Sequence, residues 1–237
     1  MNFNPIGYIR TVYTNKNGTP RQGNICQESH GTLEVNLGDN NAQYALENLH
    51  EFSHVWIIFV FHKNGKAFTK TKVTPPRLSS RVGVFSTRSP HRPNPIGLSL
   101  VRLESIEHNM MYLSGIDLLD GTPVLDVKPY VPSYDSPSTL EGSKQETIKF
   151  PDWIKKTSSL TCSFTSKALS DLKKIDKEDL VNPITSILEA DPRSCYRKDK
   201  CSDKLYFFSH DGVHLTAWFD DEDNMVQILK AKIDDQI

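Results

Sequence analysis

The residues with the most chemical content lie in Phe85-Ser-Thr-Arg-Ser-Pro-His-Arg-Pro-Asn-Pro-Ile-Gly-Leu98. Its three prolines fix φ and favour extended geometry in the residues that precede them. A stiff backbone therefore presents Arg88, His91 and Arg92, and little conformational entropy is lost when these side chains hold a ligand. Two guanidinium groups on such a loop predict an anion-binding site.

The charge distribution supports this prediction. Nine lysines and arginines, and no aspartate or glutamate, lie between Phe52 and Leu103, although the formal net charge of the chain is only −1. A surface of one sign attracts partners of the opposite sign, of which phosphate is the commonest. A single lysine would be interpreted as an ordinary solvated charge, but a run of this length favours a phosphate-bearing partner.

A second chemical cluster is Asp117-Leu-Leu-Asp-Gly-Thr-Pro-Val-Leu-Asp-Val-Lys-Pro-Tyr130. Asp120 and Gly121 predict a turn, and a strand follows it. Alternation along that strand puts Asp126 and Lys128 on one face. The two charges can form a surface ion pair at an edge strand or can flank a ligand.

Composition is typical of a globular protein with one or two domains: 237 residues, 37% hydrophobic, 24% charged, and a mean hydropathy of −0.46. The longest apolar run, Val55 to Phe61, is too short to span a bilayer, and the N-terminus lacks the pattern of a signal peptide. We therefore expect a cytoplasmic protein without membrane contact. The four cysteines form neither a zinc pattern nor a disulfide framework, so we expect no metal.

Periodicity predicts a mainly β fold for residues 1–135. The predicted strands are Ile6–Val12, Gly31–Leu37, Val55–Phe61, Arg81–Ser86, Ser99–Ile106, Met110–Ile116 and Val124–Lys128. Asn40–Leu49 is the one predicted helix in this part of the chain. Short strands at fairly regular spacing indicate a barrel or sandwich. The chain has no Gly-x-Gly-x-x-Gly segment and no phosphate loop, which argues against a Rossmann-type or P-loop nucleotide site.

The composition of the chain changes after Tyr130. Residues 136–150 are predicted to be a linker rich in Ser, Pro, Gly and acidic residues, and residues 151–237 a small α+β domain. In that domain we predict a strand ending at Phe164, helices Ser166–Ile175 and Val181–Glu189, and strands Leu205–Phe208, Val213–Phe219 and Met225–Lys232.

Three segments, Phe52–His62, Arg88–Gly97 and Asp120–Tyr130, in this order and spacing resemble the TrmO family, also called TsaA-like or YaeB-like proteins. Further matching motifs extend the resemblance over almost the whole chain. They are Ile6-Gly7, Pro20-Arg21-Gln22-Gly23, Pro75-Pro76-Arg77-Leu78 and the stretch from Asp191 to Lys198.

The resemblance implies an S-adenosylmethionine-dependent tRNA methyltransferase built on a β-barrel. Such enzymes methylate N6 of the threonylcarbamoyladenosine that lies just 3′ of the anticodon in threonine tRNAs. They act as homodimers with the cofactor near the subunit interface. Carried over by motif, the implied cofactor contacts are Gln22, Gly23, Phe61, His62, Arg88, Leu98, Asp120, Gly121, Thr122 and Pro123.

Methyl transfer from a sulfonium needs alignment of donor and acceptor, and a base that takes the proton of the acceptor nitrogen helps. Asp126 is the first candidate for this base, followed by His62 and His91. A planar guanidinium suits the cofactor carboxylate, a role we give to Arg88. The predicted tRNA contacts are Arg77, Arg81, Arg92, Arg193, Arg197 and Lys198. A methyltransferase with another substrate and a non-catalytic RNA-binding module remain alternatives.

Overall fold

The computed structural model of the chain describes residues 3–38, 41–64, 70–76, 78, 80–136, 148–155 and 160–233. Arg77 and most of the predicted linker, 136–150, lie outside these residues. No helix among the residues described is both long enough and apolar enough to cross a membrane.

Eight strands lie in the described part of the first half of the chain. They are β1 (Gly7–Thr11), β2 (His30–Val35), β3 (His54–Val60), β4 (Lys72–Val73), β5 (Val82–Gly83), β6 (Ile96–Glu107), β7 (Met110–Ser114) and β8 (Pro123–Pro129). Six of them close a barrel in the order β1-β2-β7-β6-β3-β8, and β4 pairs with β5 in a separate small sheet. The predicted mainly β fold with a barrel is therefore confirmed.

Alternation along β3 shows why these residues close a barrel. Val55, Ile57 and Phe59 point into the core, and the residues between them face outwards. On the neighbouring strand β6, Gly97 leaves room for the ring of Phe59, because a Cβ at Gly97 would lie 2.2 Å from that ring. The core is thus filled by β-branched and aromatic side chains at every second position.

Two predictions for this half were only partly right. The predicted helix Asn40–Leu49 is a short α1 (Ala42–Ala45) followed by a 3-10 turn at Leu49–Glu51, because Asn48 takes a left-handed conformation with φ 63° and interrupts it. The predicted strand Arg81–Ser86 keeps only β5. A 3-10 turn at Val84–Ser86 follows and leads into the proline-rich loop.

The remainder of the chain contains a second sheet and five helices among the described residues, and two of these helices, α4 and α5, pack against strands of the sheet. The helices are α2 (Pro132–Asp135), α3 (Asp152–Lys155), α4 (Ser166–Lys174), α5 (Val181–Glu189) and α6 (Cys195–Lys200). The strands are β9 (Thr161–Phe164), β10 (Leu205–His210), β11 (Val213–Asp220) and β12 (Met225–Ile233), in the order β10-β11-β12-β9. Its own core includes Leu172, Ile184 and Phe219. This agrees with the predicted α+β character, but the short helices α2, α3 and α6 were not predicted.

The segment between β1 and β2 joins the barrel to the second sheet. The Gly18 amide donates to the Tyr206 hydroxyl at 3.3 Å, and the Arg21 guanidinium donates to the Pro192 carbonyl. The rings of Tyr13 and His210 meet with centroids 5.4 Å apart. These contacts fix the second sheet beside one end of the barrel.

Candidate active site

One end of the barrel gathers most of the predicted site residues. β1, β3 and β7 end there, and β6 and β8 begin there, because neighbouring barrel strands are antiparallel. The segments that leave or enter these strands carry Phe61 and His62 after β3, Asp120 to Thr122 before β8, and Gln22-Gly23 laid against β6 and β7. The fold therefore brings together motifs that are up to about a hundred residues apart in sequence.

Arg88 and Gln22, two predicted cofactor contacts, touch directly. The Arg88 Nη1 donates to the Gln22 Oε1 at 3.1 Å, and the Gln22 Nε2 donates to the Arg21 carbonyl at 2.8 Å. Arg88 is otherwise exposed, and the stiff loop holds it at this place. The guanidinium keeps further N–H donors for a ligand.

Gly23 lies so close to the end of β7 that no side chain fits. A Cβ there would lie 2.1 Å from the carbonyl oxygen of Gly115 and 3.2 Å from that of Leu100. Glycine is therefore required for close approach of the two backbones, which presses the Gln22-Gly23 segment onto the barrel.

Asp117 is a further candidate site residue, one that the sequence analysis did not single out. Its Oδ1 accepts from the Ser99 hydroxyl at 2.6 Å, and its carboxylate also receives the Gly23 backbone N–H and the attraction of Arg88. Loss of hydration raises the pKa of Asp117, although these three partners oppose the shift. Asp117 opens the Asp117–Tyr130 segment, so its position in a chemical motif was the available signal.

The turn at Asp120 is anchored to β1. The Thr11 amide donates to the Asp120 Oδ1 at 3.1 Å, and the Gly121 amide donates to the Ile9 carbonyl at 2.9 Å. Gly121 has φ 74°, a left-handed conformation that favours glycine. Thr122 is buried and donates to the Leu119 carbonyl at 2.6 Å. These bonds hold the turn, and with it Pro123, rigidly at the barrel end.

His62 faces this turn. Its Nδ1 lies 3.5 Å from the Thr122 Oγ1, and the preceding Phe61 packs edge-on against Phe59 with ring centroids 4.9 Å apart. Loss of hydration and the charge of Lys63 lower the pKa of His62. His62 is consequently neutral near pH 7 and can accept a proton.

His91 is held inside the proline-rich loop. Its backbone N–H donates to the Ser89 Oγ at 3.3 Å, and its buried Nδ1 has no hydrogen-bond partner among the residues described. Loss of hydration, followed by the charges of Lys70 and Lys16, lowers the pKa of His91. His91 is thus a second neutral imidazole.

The structure does not bring Asp126 together with the other candidates. On β8 it pairs with Ile58, an outward residue of β3, and its carboxylate binds the Lys128 ammonium at 2.8 Å and the Val127 amide at 2.9 Å. The ion pair that was one interpretation of this motif is therefore present, on the outside of the barrel wall. His62 replaces Asp126 as the first candidate for the base.

Leu98 lies on the same outer wall and is 50% exposed. It pairs with Ile58, and its neighbours in register are equally apolar. The outer apolar wall consists of Trp56, Ile58 and Val60 on β3 and Ile96, Leu98 and Leu100 on β6. Contiguous exposed apolar patches are common where proteins bind a partner.

The arginines predicted to bind tRNA differ in how strongly their side chains are held by the protein itself. Arg92 donates through its Nη1 to the carbonyls of Thr87 and Ser89 at 2.9 and 3.3 Å and lies over the Phe85 ring at 5.7 Å, so it shapes its own loop. Arg81 donates to the Lys72 carbonyl at 2.9 Å and stays exposed.

The prediction that Arg193 contacts tRNA needs correction, because its side chain is only 5% exposed. It binds Asp191 at 3.0 Å and Asp221 at 2.5 Å, and its guanidinium lies 3.9 Å from the Phe219 ring centroid. Lys198 is also neutralised, by Asp191 at 2.6 Å. Of this group, Arg197 is the one without an ion pair among the residues described, and it lies over Tyr206 at 5.7 Å.

Known proteins share this architecture. A family model described as the tRNA-methyltransferase O N-terminal domain matches residues 8–136. The chain belongs to the TrmO family. A TrmO crystal structure from Pseudomonas aeruginosa superposes with a TM-score of 0.69 at 31% identity, covering 98% of each chain.

Related TrmO-family sequences bear names that concern tRNA or the cofactor. An Escherichia coli K12 protein named tRNA (adenine(37)-N6)-methyltransferase is 37% identical over 212 residues, 86% of this chain and 87% of that protein. An Archaeoglobus fulgidus S-adenosyl-L-methionine-binding protein is 35% identical over 144 residues, 61% of this chain and 99% of that protein. The chain spans 32% of the length of a rat tRNA (adenine(37)-N6)-methyltransferase, with 56% identity over 139 residues.

The barrel end also meets a chemical test for the cofactor of a TrmO-family protein. S-adenosylmethionine carries an amino-acid zwitterion, and Arg88 beside Asp117 offers one charge of each sign. Gln22 adds an amide. In the residues described, no group of three or more His, Cys, Asp or Glu could hold a metal ion. The residues present therefore fit the organic cofactor.

Proposed function

We propose that the chain is an S-adenosylmethionine-dependent tRNA methyltransferase that methylates N6 of threonylcarbamoyladenosine, next to the anticodon of threonine tRNAs. The observation that carries the proposal is the cluster of Arg88, Gln22 and Asp117 at the barrel end from which His62 also projects after β3. The names of the Escherichia coli and Archaeoglobus fulgidus relatives support the reaction and the cofactor.

The polar cluster would hold the amino-acid end of the cofactor. Arg88 would bind its carboxylate, while Asp117 and the Gln22 Oε1 would accept from its ammonium. When bound, the cofactor supplies an electrophilic methyl group on sulfur. Ser99 and the Gly23 amide hold the Asp117 carboxylate, so its geometry exists before the ligand arrives.

His62 would accept the proton of the acceptor nitrogen. A carbamoyl-bearing nitrogen is a weak nucleophile because its lone pair is delocalised, so removal of its proton helps the transfer. The lowered pKa of His62 keeps the imidazole neutral, and the Thr122 hydroxyl at 3.5 Å orients it. His91 would be the second candidate for the same role.

A second copy of the chain would cover the outer apolar wall. The wall lies on β3 and β6, and Leu98, a predicted cofactor contact, is part of it. Burial of such a patch against its own copy would both stabilise a homodimer and enclose the apolar side of the cofactor site.

The test is a methylation assay with purified protein. Threonine tRNA that carries threonylcarbamoyladenosine is incubated with the cofactor, and mass spectrometry of its nucleosides measures N6 methylation. We expect His62→Gln to lower kcat by a larger factor than it weakens cofactor binding, and the activity of the parent to fall as the pH drops through the lowered pKa of His62. A His62→Gln protein with full activity would remove His62 from catalysis.

Calorimetry separates this proposal from a non-catalytic RNA-binding module. We expect the parent to bind S-adenosylmethionine, whereas a pure RNA module has no reason to do so. A protein that binds tRNA but not the cofactor would refute the proposed methyltransferase activity. Methylation of another nucleoside would refute threonylcarbamoyladenosine as the acceptor and leave the methyltransferase activity in place.

A further inference from the structure

A cleft of about 470 Å³ lies between the barrel and the second sheet, outside the predicted site. It is lined by residues 14–17 after β1, by Lys63 after β3, by residues 207–209 of β10 and by His214 of β11. Its volume is within the range of about 300–1,000 Å³ that is usual for ligand sites. The cleft is therefore large enough to admit one nucleotide.

Two lysines give the cleft its charge. The Lys63 Nζ donates to the Thr14 carbonyl at 2.7 Å, and the Lys16 Nζ approaches the Asn64 Oδ1 at 3.5 Å. Both bonds are to neutral oxygens, and no carboxylate is among the lining residues. Neither lysine forms an ion pair within the part of the chain that the structure describes. Their charge is therefore available to an anionic ligand.

An exposed aromatic ring stands on the opposite wall. Phe207 is 42% exposed, and its ring is nearly parallel to that of His214, with an interplanar angle of 9° and centroids 6.4 Å apart. The β10–β11 pairing, in which Ser209 is opposite His214, fixes both rings on one face of the sheet. An exposed ring on a rigid strand beside unpaired ammonium groups is the arrangement with which proteins hold single-stranded nucleic acid.

The cleft adjoins the predicted site. Lys63 follows His62 in sequence, and the Tyr13 carbonyl, next to the cleft segment, accepts from the Asp120 amide at 2.8 Å. The charge of Lys16 also acts on both His62 and His91. A chain of nucleotides in the cleft would thus continue directly to the barrel end.

We propose that this cleft binds a nucleotide of the tRNA that neighbours the methylated adenosine. Lys16 and Lys63 hold its phosphate, and Phe207 stacks on its base. The proposal rests on the proposed function, because it gives the tRNA substrate a place beside the reacting base. It assigns RNA contacts to Lys16, Lys63 and Phe207, none of which is among the tRNA contacts predicted from sequence.

The test compares two cleft variants with matched controls. The variants are Phe207→Ala and the double change Lys16→Gln with Lys63→Gln. The controls are Tyr44→Ala, an aromatic on α1 that is 76% exposed, and the double change of Lys173 and Lys174 to Gln at the end of α4. Filter binding measures the affinity for an unmodified threonine tRNA transcript over a series of salt concentrations. Calorimetry measures the affinity for S-adenosylmethionine, and thermal melting checks the fold.

We expect Phe207→Ala to weaken transcript binding by about 5- to 150-fold, as loss of one stacked base does. The double lysine variant weakens binding too, and its log–log salt slope becomes shallower by about 0.7–0.9 for each charge removed that contacted a phosphate. Cofactor affinity and melting stay unchanged in both. The controls keep the transcript affinity of the parent.

Two results would overturn the proposal. In one, the cleft variants bind the transcript as tightly as the parent. In the other, the control variants weaken binding as much as the cleft variants, which would make the effect one of general charge or surface. A parent that binds the cofactor but no tRNA would instead refute the proposed function itself. The two failures are therefore distinguishable.

Discussion

Replacement of Arg193 by Met tests whether this arginine supports the fold or contacts RNA. Its side chain donates to both Asp191 and Asp221 and lies 3.9 Å from the Phe219 ring centroid. Met fills a similar apolar volume but removes the charge, so the packing on Phe219 is largely kept. The variant therefore isolates the loss of the ionic contacts.

The expected loss of stability depends on the contacts and hydration that Asp191 and Asp221 retain after the substitution. Removal of one partner from a buried ion pair costs about 3–5 kcal/mol, because a buried charge stays uncompensated. Asp191 is 3% exposed but retains Lys198 at 2.6 Å, while Asp221 is 47% exposed and is rehydrated. We therefore expect the lower end, a fall of about 3 kcal/mol in the free energy of unfolding.

Urea unfolding followed by tryptophan fluorescence measures this change, since Trp218 on β11 adjoins Phe219 and reports on the second sheet. The control is Arg197→Met, which loses the contact over Tyr206 and a long hydrogen bond to the Leu205 carbonyl at 3.5 Å, and is expected to cost less than about 1 kcal/mol. A loss below about 1 kcal/mol in Arg193→Met, together with weaker tRNA binding and a shallower salt slope, would refute the structural role and restore the RNA contact.

The same network predicts how stability depends on pH. Burial alone would raise the pKa of Asp191, but hydrogen bonds from Arg193 and Lys198 lower it, and Arg193 lowers the pKa of Asp221 as well. A carboxyl with a lowered pKa contributes stability that is complete above its unfolded pKa of about 3.9 and is lost as the pH falls through the folded pKa. The parent should therefore lose more stability than Arg193→Met when the pH falls from about 5 to 2.

Three further predictions concern the barrel. First, Arg88→Ala weakens S-adenosylmethionine binding by at least about 1.5 kcal/mol in calorimetry, and unchanged affinity would exclude Arg88 from the site. Second, Asp117→Asn also weakens cofactor binding but keeps or raises the free energy of unfolding at pH 7. The reason is that a carboxyl whose pKa is raised by folding loses its contribution to stability as the pH rises through the folded pKa. Marked destabilisation of Asp117→Asn in urea would contradict this. Third, light scattering of the 26.9 kDa chain reports a dimer that Leu98→Glu dissociates, and a fully active parent monomer would contradict the role of the outer apolar wall.

Sequence patterns predicted the barrel well where they depend on local alternation. The strand with inward Val55, Ile57 and Phe59 was predicted within one residue at each end, because period-two burial is visible in sequence. The interrupted helix at Asn48 was not foreseen, since a left-handed residue inside an apolar pattern changes no hydrophobic period. Barrel closure itself depends on pairings between distant strands, such as β1 with β8, and no local pattern specifies them.

Sequence motifs named most residues of the candidate site, and the burial of side chains in the structure changed some of these assignments. The motifs identified Arg88 and Gln22, which the fold brings to 3.1 Å from each other. The motifs predicted that Arg193 contacts tRNA, whereas its side chain is buried against two carboxylates and the Phe219 ring. Sequence alone does not distinguish these cases, because an arginine in a polar segment looks the same whether it is solvated or buried in ion pairs. Asp117 was missed for the converse reason, since only the folded chain places Ser99, Gly23 and Arg88 around it.

The central claim is methyl transfer to a modified adenosine by the cluster at the barrel end. The most direct measurement is nucleoside mass spectrometry of threonine tRNA after incubation of the protein with S-adenosylmethionine, for tRNA with and without the threonylcarbamoyl group. We expect an added methyl group at N6 of threonylcarbamoyladenosine in the modified tRNA alone, and its loss in Arg88→Ala. A protein that binds both ligands but adds no methyl group, or adds one to a different nucleoside, would contradict the account.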